Sequence, residues 1–289
     1  MAGTIRTGMA GWIFPEWRGG MFYPEGLKQK EELPWASRAV SAIEINATFY
    51  SNQKATSFEN WRSQTPDGFA FTVKGWQFVT HIKKLKDVET PLANFFASGV
   101  LALGDRLGPI CWQLPGNLSY SAERIETFLK LLPKTPKQAL ALAAKHDERV
   151  AAPHLNTDGV SSIRHAIEVR HKSFAEPEFV ELLRAHNVAL VTADTADWPY
   201  VDQTADFSYL RLQGAPGSDH YEPMDLDSWA KRLRGWADGK ASKDAPLIAE
   251  PTKPVPRDIY AFFVSTDKPN APRNALAIAG RLGITPSQA

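Results

Sequence analysis

Four short apolar segments carry charged or amide side chains at alternate positions. They are Ile43-Glu44-Ile45-Asn46, Phe71-Thr72-Val73-Lys74, Ile167-Glu168-Val169-Arg170 and Tyr209-Leu210-Arg211-Leu212-Gln213. A strand sends successive side chains to opposite faces, so in each segment the polar set shares one face and the apolar set the other. These residue types suit acid–base chemistry on an anion. Glu44 or Glu168 would take a proton, with His81 as proton-transfer partner, while Lys74, Arg170 and Arg211 hold negative charge through charge-assisted hydrogen bonds. Asn46, Gln113 and Asp194 lie at or just after the ends of further strand-like runs and are read as substrate-binding. Trp12 and Tyr50 fall in loops after strands, where a ring can stack on a base or sugar. The charges balance: Glu44, Glu168 and Asp194 against Lys74, Arg170 and Arg211. A purely structural ion-pair network would need the same balance, and both readings stand.

Eight strand-like runs hold these residues: 5–10, 42–46, 69–74, 109–114, 165–170, 188–193, 207–213 and 259–264. Helix-like stretches lie between them at 28–40, 54–64, 91–107, 122–132, 176–186, 226–236 and 272–282. In the third, Leu92, Phe95, Phe96, Val100, Leu103 and Leu107 recur at helical spacing. Ser121 and Asp225 read as N-caps, and Pro177 sits in a first turn, where proline is tolerated. The stretch 136–151 reads as an extra helix, and 238–245 as a polar loop. Strands alternating with helices predict an α/β fold, a (β/α)₈ TIM-barrel-like single domain over residues 1–289 with its parallel sheet closed into a barrel. A doubly wound open sheet is the alternative. In a barrel the site lies at the C-terminal ends of the strands. The head groups of Glu44, Lys74, Glu168, Arg170 and Arg211 are therefore expected in one cavity there.

Composition narrows the classes. With 43% hydrophobic and 22% charged residues, the 289-residue chain is ordinary for a soluble globular protein. A formal net charge of +1 supplies no global field for nucleic acid or an anionic membrane, although a local basic patch leaves nucleic acid open. No run approaches the roughly 18 apolar residues of a membrane span, and the first residues lack a secretory apolar stretch, so a cytoplasmic location is expected. Cys111, the only cysteine, lies in an apolar run and reads as a buried, inert thiol. His171 reads as a capping residue, His220 as a loop residue near the mouth, and His146, His154, His165 and His186 as surface or helix positions. The Gly214–Ser218 loop is a weak phosphate-binding candidate.

A further set of residues runs the length of the chain. It begins with Gly11-Trp12-x-x-Pro15-x-Trp17-x-Gly19, Phe22-Tyr23-Pro24 and Ile43-Glu44-Ile45-Asn46-x-Thr48-Phe49-Tyr50. Trp61, Thr65-Pro66, Phe71-x-Val73-Lys74, Thr80-His81, Leu107-Gly108-Pro109 and Gln113-Leu114-Pro115 follow. Glu168-Val169-Arg170-His171 and Tyr209-x-Arg211-Leu212 complete it. This series resembles the DUF72, or YecE-like, family over nearly the whole chain. The resemblance implies a TIM-barrel-like fold and no function. Two departures stand out: Gln213 replaces a histidine of the family pattern, and Ser265-Thr266-Asp267 stands where an Asn-Asn pair is common.

No P-loop, His-Glu-x-x-His, paired CxxC or Gly-x-Ser-x-Gly motif is present. No cofactor is expected and no metal site is assigned. Glu44, His81, Glu168, Asp194 and His220 are suitable metal ligands by type, but Lys74, Arg170 and Arg211 would stand beside the cation. Three functions follow. The first is a metal-independent enzyme using hydrolase- or lyase-type acid–base chemistry on a small phosphorylated or carboxylated substrate. The second is a metal-dependent phosphodiesterase or nuclease, by analogy of fold alone. The third is a non-catalytic ligand-binding protein. Nothing in the sequence bears on oligomeric state.

Overall fold

The structure, a computed structural model, describes residues 2–214, 221–241, 245–264 and 269–285. In chain order its first elements are β1 (Ile5–Ala10), α1 (Glu32–Ala39), β2 (Ala42–Ile45), α2 (Ala47–Tyr50), α3 (Ala55–Ser63) and β3 (Ala70–Lys74). Then come α4 (Glu89–Ala97), β4 (Leu107–Gln113), α5 (Ala122–Leu131), α6 (Pro136–Ala143), β5 (His165–Glu168) and α7 (Pro177–His186). The last are β6 (Ala189–Leu190), β7 (Thr192–Ala193), β8 (Phe207–Leu212), α8 (Pro223–Ala237), β9 (Asp258–Phe263) and α9 (Asn270–Leu282). Parallel strands alternate with helices, and the fold is α/β of the (β/α)₈ TIM-barrel type.

Internal contacts divide the chain into two units, Met1–Glu44 with Ala189–Ala289, and Ile45–Val188. In the first, the strands run β2-β1-β9-β8-β7, all parallel. α8 buries Leu226, Ala230, Leu233, Trp236 and Ala237, the apolar stripe of an amphipathic helix. In the second unit β3, β4 and β5 lie side by side, again parallel. Trp112 of β4 points to the helices, 5.4 Å from the Phe95 ring of α4 and 5.6 Å from the Phe128 ring of α5. Gly75 makes room for that indole, since a Cβ there would stand 2.1 Å from Trp112 Cε3.

Several expected boundaries move, each for a local reason. The helix expected over 91–107 stops at Ala97 because Gly99 takes φ 137°, and a 3₁₀ segment, Val100–Arg106, follows. The extra helix stops at Ala143 rather than 151. Beyond it the Asp147 amide donates to Asn94 Oδ1 at 3.0 Å, which draws the backbone out of the helical ladder. Strand six is two short pieces, β6 and β7, because the Leu190 amide is taken by Thr204 Oγ1 at 2.7 Å. α8 begins earlier than expected: Pro223 occupies its first turn and Glu222, not Asp225, is the N-cap. Asp225 instead completes the capping box by accepting from the Glu222 amide at 2.9 Å. Ser121 caps α5 as expected, accepting from the Arg124 amide at 3.5 Å. Part of the expected 238–245 loop, residues 242–244, lies outside the described residues.

His165 corrects the sequence reading. It sits within β5, 2% exposed, rather than on a surface or helix. Nδ1 accepts from Trp112 Nε1 at 3.1 Å, and Nε2 lies 2.7 Å from the Pro133 carbonyl oxygen. The first contact supplies a donor and the second an acceptor, so they fit one neutral tautomer. Protonation would set two N–H groups against each other. Burial is the main cause that lowers the ring's pKa from 6.5 to about 4. With the folded pKa below the unfolded one, the contribution is intact above pH 6.5 and is lost as pH falls toward 4. Between pH 7 and 4.5 the wild type should therefore lose on the order of 2 kcal/mol more stability than His165→Gln, which keeps an acceptor and a donor. Denaturant titrations at both pH values check this, and parallel losses in the two proteins would contradict it.

Candidate functional site

Within Ile45–Val188 the strand register sets a polar row. Lys74 is level with Cys111, and Gln113 with Glu168. Residues level in a parallel ladder share a face, as do residues two apart on one strand. Lys74, Cys111, Gln113 and Glu168 therefore share the face opposite Trp112 and the helices. Lys74, Gln113 and Glu168 are all buried, as is the Cys111 thiol.

Lys74 closes β3. Its Nζ donates to Gln113 Oε1 and stands 4.5 Å from the centroid of the Phe49 ring. Its carbonyl accepts from Thr48 Oγ1 at 2.7 Å. Thr48 and Phe49 belong to α2, a single turn directly after β2 that the strand and helix patterns do not reveal. His81 packs edge-on against the same Phe49 ring at 5.0 Å, with Thr80 Oγ1 2.9 Å from its Nδ1. Burial, then the positive charges of Lys74 and Arg170, lower the pKa of His81, while Glu168 opposes them. The shift favours the neutral ring. Glu168 ends β5, and its Oε1 accepts from Arg170 Nε at 3.1 Å and Nη2 at 3.0 Å. Arg170, expected inside the strand, lies in the following loop. Its side chain is 46% exposed and hooks back onto Glu168.

The backbone around His81 is unusual. Phe78–Ile82 is a π turn, closed by the Lys83 amide on the Phe78 carbonyl at 2.9 Å. Lys84, Leu85 and Asp87 then take φ of 47°, 66° and 49°. Left-handed residues other than glycine, and π turns, both gather at functional sites. Periodicity carries no signal for either feature. Asn46 Oδ1 is buried with no partner among the described residues. Tyr50 is exposed at the end of α2, edge-on to Phe49 at 5.2 Å. His171 caps a 3₁₀ turn, its Nδ1 accepting from the Ser173 amide at 3.2 Å.

The first unit holds Glu44, Arg211, Asp194 and Trp12. Glu44 has 0% exposure. Its Oε2 accepts from Tyr209 Oη at 2.7 Å and Arg211 Nε at 3.1 Å, and its Oε1 from Arg211 Nη2 at 3.1 Å. Tyr209 shares the parity of Arg211 on β8, the signal by which the sequence could have disclosed it. Asp194 accepts from the Gln213 amide at 2.7 Å and from Tyr221 Oη, while burial raises its pKa. Trp12 is buried and its carbonyl accepts from Tyr23 Oη. Phe14, Trp17, Phe22 and Trp35 pack on one another nearby in sequence, with Phe14–Trp17 and Phe22–Trp35 each at 4.6 Å. His220, Asp267 and the Gly214–Ser218 loop beyond Gly214 lie outside the described residues. Among the described residues no three His, Cys, Asp or Glu are grouped to hold a metal ion, and no helix is long and apolar enough to cross a membrane.

The Glu44–Arg211 fork makes a direct prediction. Arg211→Met leaves a buried carboxylate with only Tyr209 of these partners and should cost about 3–5 kcal/mol. The double variant Glu44→Gln/Arg211→Met should recover part of that loss, because no buried charge is left behind. Denaturant unfolding of both variants checks this, and a loss below about 1 kcal/mol for Arg211→Met would contradict it.

Comparisons with known proteins agree with this architecture. The family model described as "Protein of unknown function DUF72" matches residues 6–289. The UPF0759 protein YunF of Bacillus subtilis (strain 168) is 32% identical over 76 residues, 26% of this chain and 26% of that protein. The match thus spans about a quarter of that relative's length. A DUF72 family protein from Thermotoga maritima MSB8 superposes with a TM-score of 0.68 at 24% identity, covering 97% of this chain and 99% of that one. One from Enterococcus faecalis V583 gives 0.67 at 14% identity, covering 97% and 96%. At these identities the likeness shows the fold. With the family match running over almost its whole length, the chain belongs to the DUF72 family, whose function is unknown.

Proposed function

We propose that the Lys74–Gln113–Glu168–Arg170–His81 cluster is an acid–base site for a small phosphorylated or carboxylated substrate, with protein cations rather than a metal holding the anion. The observation that carries this reading is the shared Phe49 ring. It packs against both a buried ammonium and an imidazole, and the charges of Lys74 and Arg170 help keep that imidazole unprotonated. A neutral imidazole beside an anion-binding cation can take a proton from a bound substrate. Arg170 spends Nε and Nη2 on Glu168, and its half-exposed guanidinium has further N–H groups to offer an oxyanion.

Of the two carboxylates expected to act as base, Glu168 fits better. It pairs with Arg170, a half-exposed arginine that an incoming anion can draw away. Glu44 spends both oxygens on the buried Arg211 and Tyr209. Glu168 and His81 are accordingly the acid–base pair of this reading, and Lys74 and Arg170 the anion binders.

Calorimetric titration with inorganic phosphate tests it. Lys74→Met and Arg170→Met should each weaken binding at least about tenfold, roughly 1.4 kcal/mol, while His81→Gln binds phosphate within a few-fold of wild type. Unchanged affinity in both cation variants would overturn the assignment. Binding without turnover on any phosphorylated or carboxylated compound would instead favour a ligand sensor.

A further inference from the structure

We infer that a groove beside α8 binds a nucleoside polyphosphate, with the base in an apolar chamber and the phosphates in a cationic one. Both chambers lie within the first unit, and neither is lined by a residue of the Lys74 cluster. The groove is therefore independent of the proposed acid–base site.

The first chamber, about 270 Å³, lies between the segment that follows β7 and the N-terminal half of α8. Its walls are mainly apolar, with Ala193, Pro199, Val201 and Trp229 among them. Arg232 Cζ stands 4.7 Å from the centroid of the Trp229 ring. Indole and guanidinium are both flat, and each stacks on a planar ring. Thr195, Ser228 and Asp225 bring two hydroxyls and a carboxylate to the same chamber. Asp225 Oδ2 accepts from the Glu222 amide at 2.9 Å, and the carboxylate keeps lone pairs for a further N–H. An alkyl chain would desolvate these groups and pair none of them, whereas the N–H and ring-nitrogen edge of a base pairs with them.

The second chamber, about 730 Å³, falls within the size range of small-molecule sites. Among the described residues its lining carries Lys231, Arg232, Arg234, Lys240 and Arg281 against one acid, Asp227. Asp227 is held by Arg281 Nε at 2.5 Å, and Asp238, which is not part of the lining, lies 3.4 Å from Lys240 Nζ. That is a surplus of four positive charges in one groove of a chain whose formal net charge is +1, so the rest of the chain is net negative. Cations gathered in this way suit a multiply charged anion. Ser228 and Arg232, one helical turn apart on α8, line both chambers. A ligand that spans this ridge joins a planar, polar-edged ring to a polyanionic tail, which is the construction of a nucleoside polyphosphate.

Calorimetric titration of the intact protein with ADP tests this, with adenosine and pyrophosphate as the two halves of the ligand. ADP should bind at least tenfold more tightly than either half. Lys231→Glu/Arg234→Glu, both at exposed positions, should weaken ADP at least tenfold and leave adenosine within a few-fold. Trp229→Ala should weaken ADP and adenosine alike and leave pyrophosphate within a few-fold, with Trp229→Phe restoring most of the loss. Photolabelling with 8-azido-ADP, read by peptide mass spectrometry, should mark peptides within 192–201 or 223–237. A 5′-phosphorylated oligonucleotide separates the two sources of this chemistry: tighter binding than ADP assigns the groove to a strand end, weaker binding to a free nucleotide. Pyrophosphate binding as tightly as ADP, or ADP affinity unchanged in Lys231→Glu/Arg234→Glu, would overturn the two-chamber site. Label confined to peptides of 45–188 would overturn it too, while leaving the anion site at Lys74 and Arg170 standing.

Discussion

A charge buried on a strand face must be answered by a group within hydrogen-bonding reach, because an unanswered one costs several kcal/mol. That constraint organises the polar chemistry of both units. Glu44 meets it with the Arg211 fork and the Tyr209 hydroxyl, and this grouping reads as scaffold. Asp194 meets it with Tyr221 and the Gln213 amide. Lys74 donates to the Gln113 amide oxygen and lies against the Phe49 ring.

The difference between these groupings follows from which elements supply the partners. Glu44, Tyr209 and Arg211 all project from strands, whose ladders hold their backbones rigid. His81, Phe49 and Arg170 come from turns and loops that follow strands. Beside His81, Lys84, Leu85 and Asp87 hold the backbone in an uncommon left-handed conformation. Sites at the C-terminal ends of barrel strands ordinarily combine strand residues with groups from the loops that follow.

Much of this was legible in the residues. Alternation puts Glu44 with Asn46, and Arg211 with Gln213, on one face of each strand because side-chain direction in a strand depends only on parity; which strands lie level is set by the register. Legibility ended where one side chain or one glycine redirected the backbone. Thr204 capturing the Leu190 amide broke strand six, Gly99 broke a helix whose apolar spacing continued, and Pro223 moved a helix start. The π turn carrying His81 and the single turn carrying Phe49 have no period to read. His165 is not legible because histidine alone gives no sign of burial, and its partners, Trp112 and the Pro133 carbonyl, lie 53 and 32 residues away in sequence.

In the proposed site, the charges of Lys74 and Arg170 favour a neutral His81 until an anion binds. The most direct measurement is an NMR titration of the His81 imidazole from pH 5 to 8, with and without sulfate, whose charge is constant over that range. A midpoint below the ordinary 6.5 is expected in the free protein, with a rise when sulfate binds, because the anion offsets the charges of Lys74 and Arg170. A midpoint at or above 6.5 that sulfate does not move would contradict it.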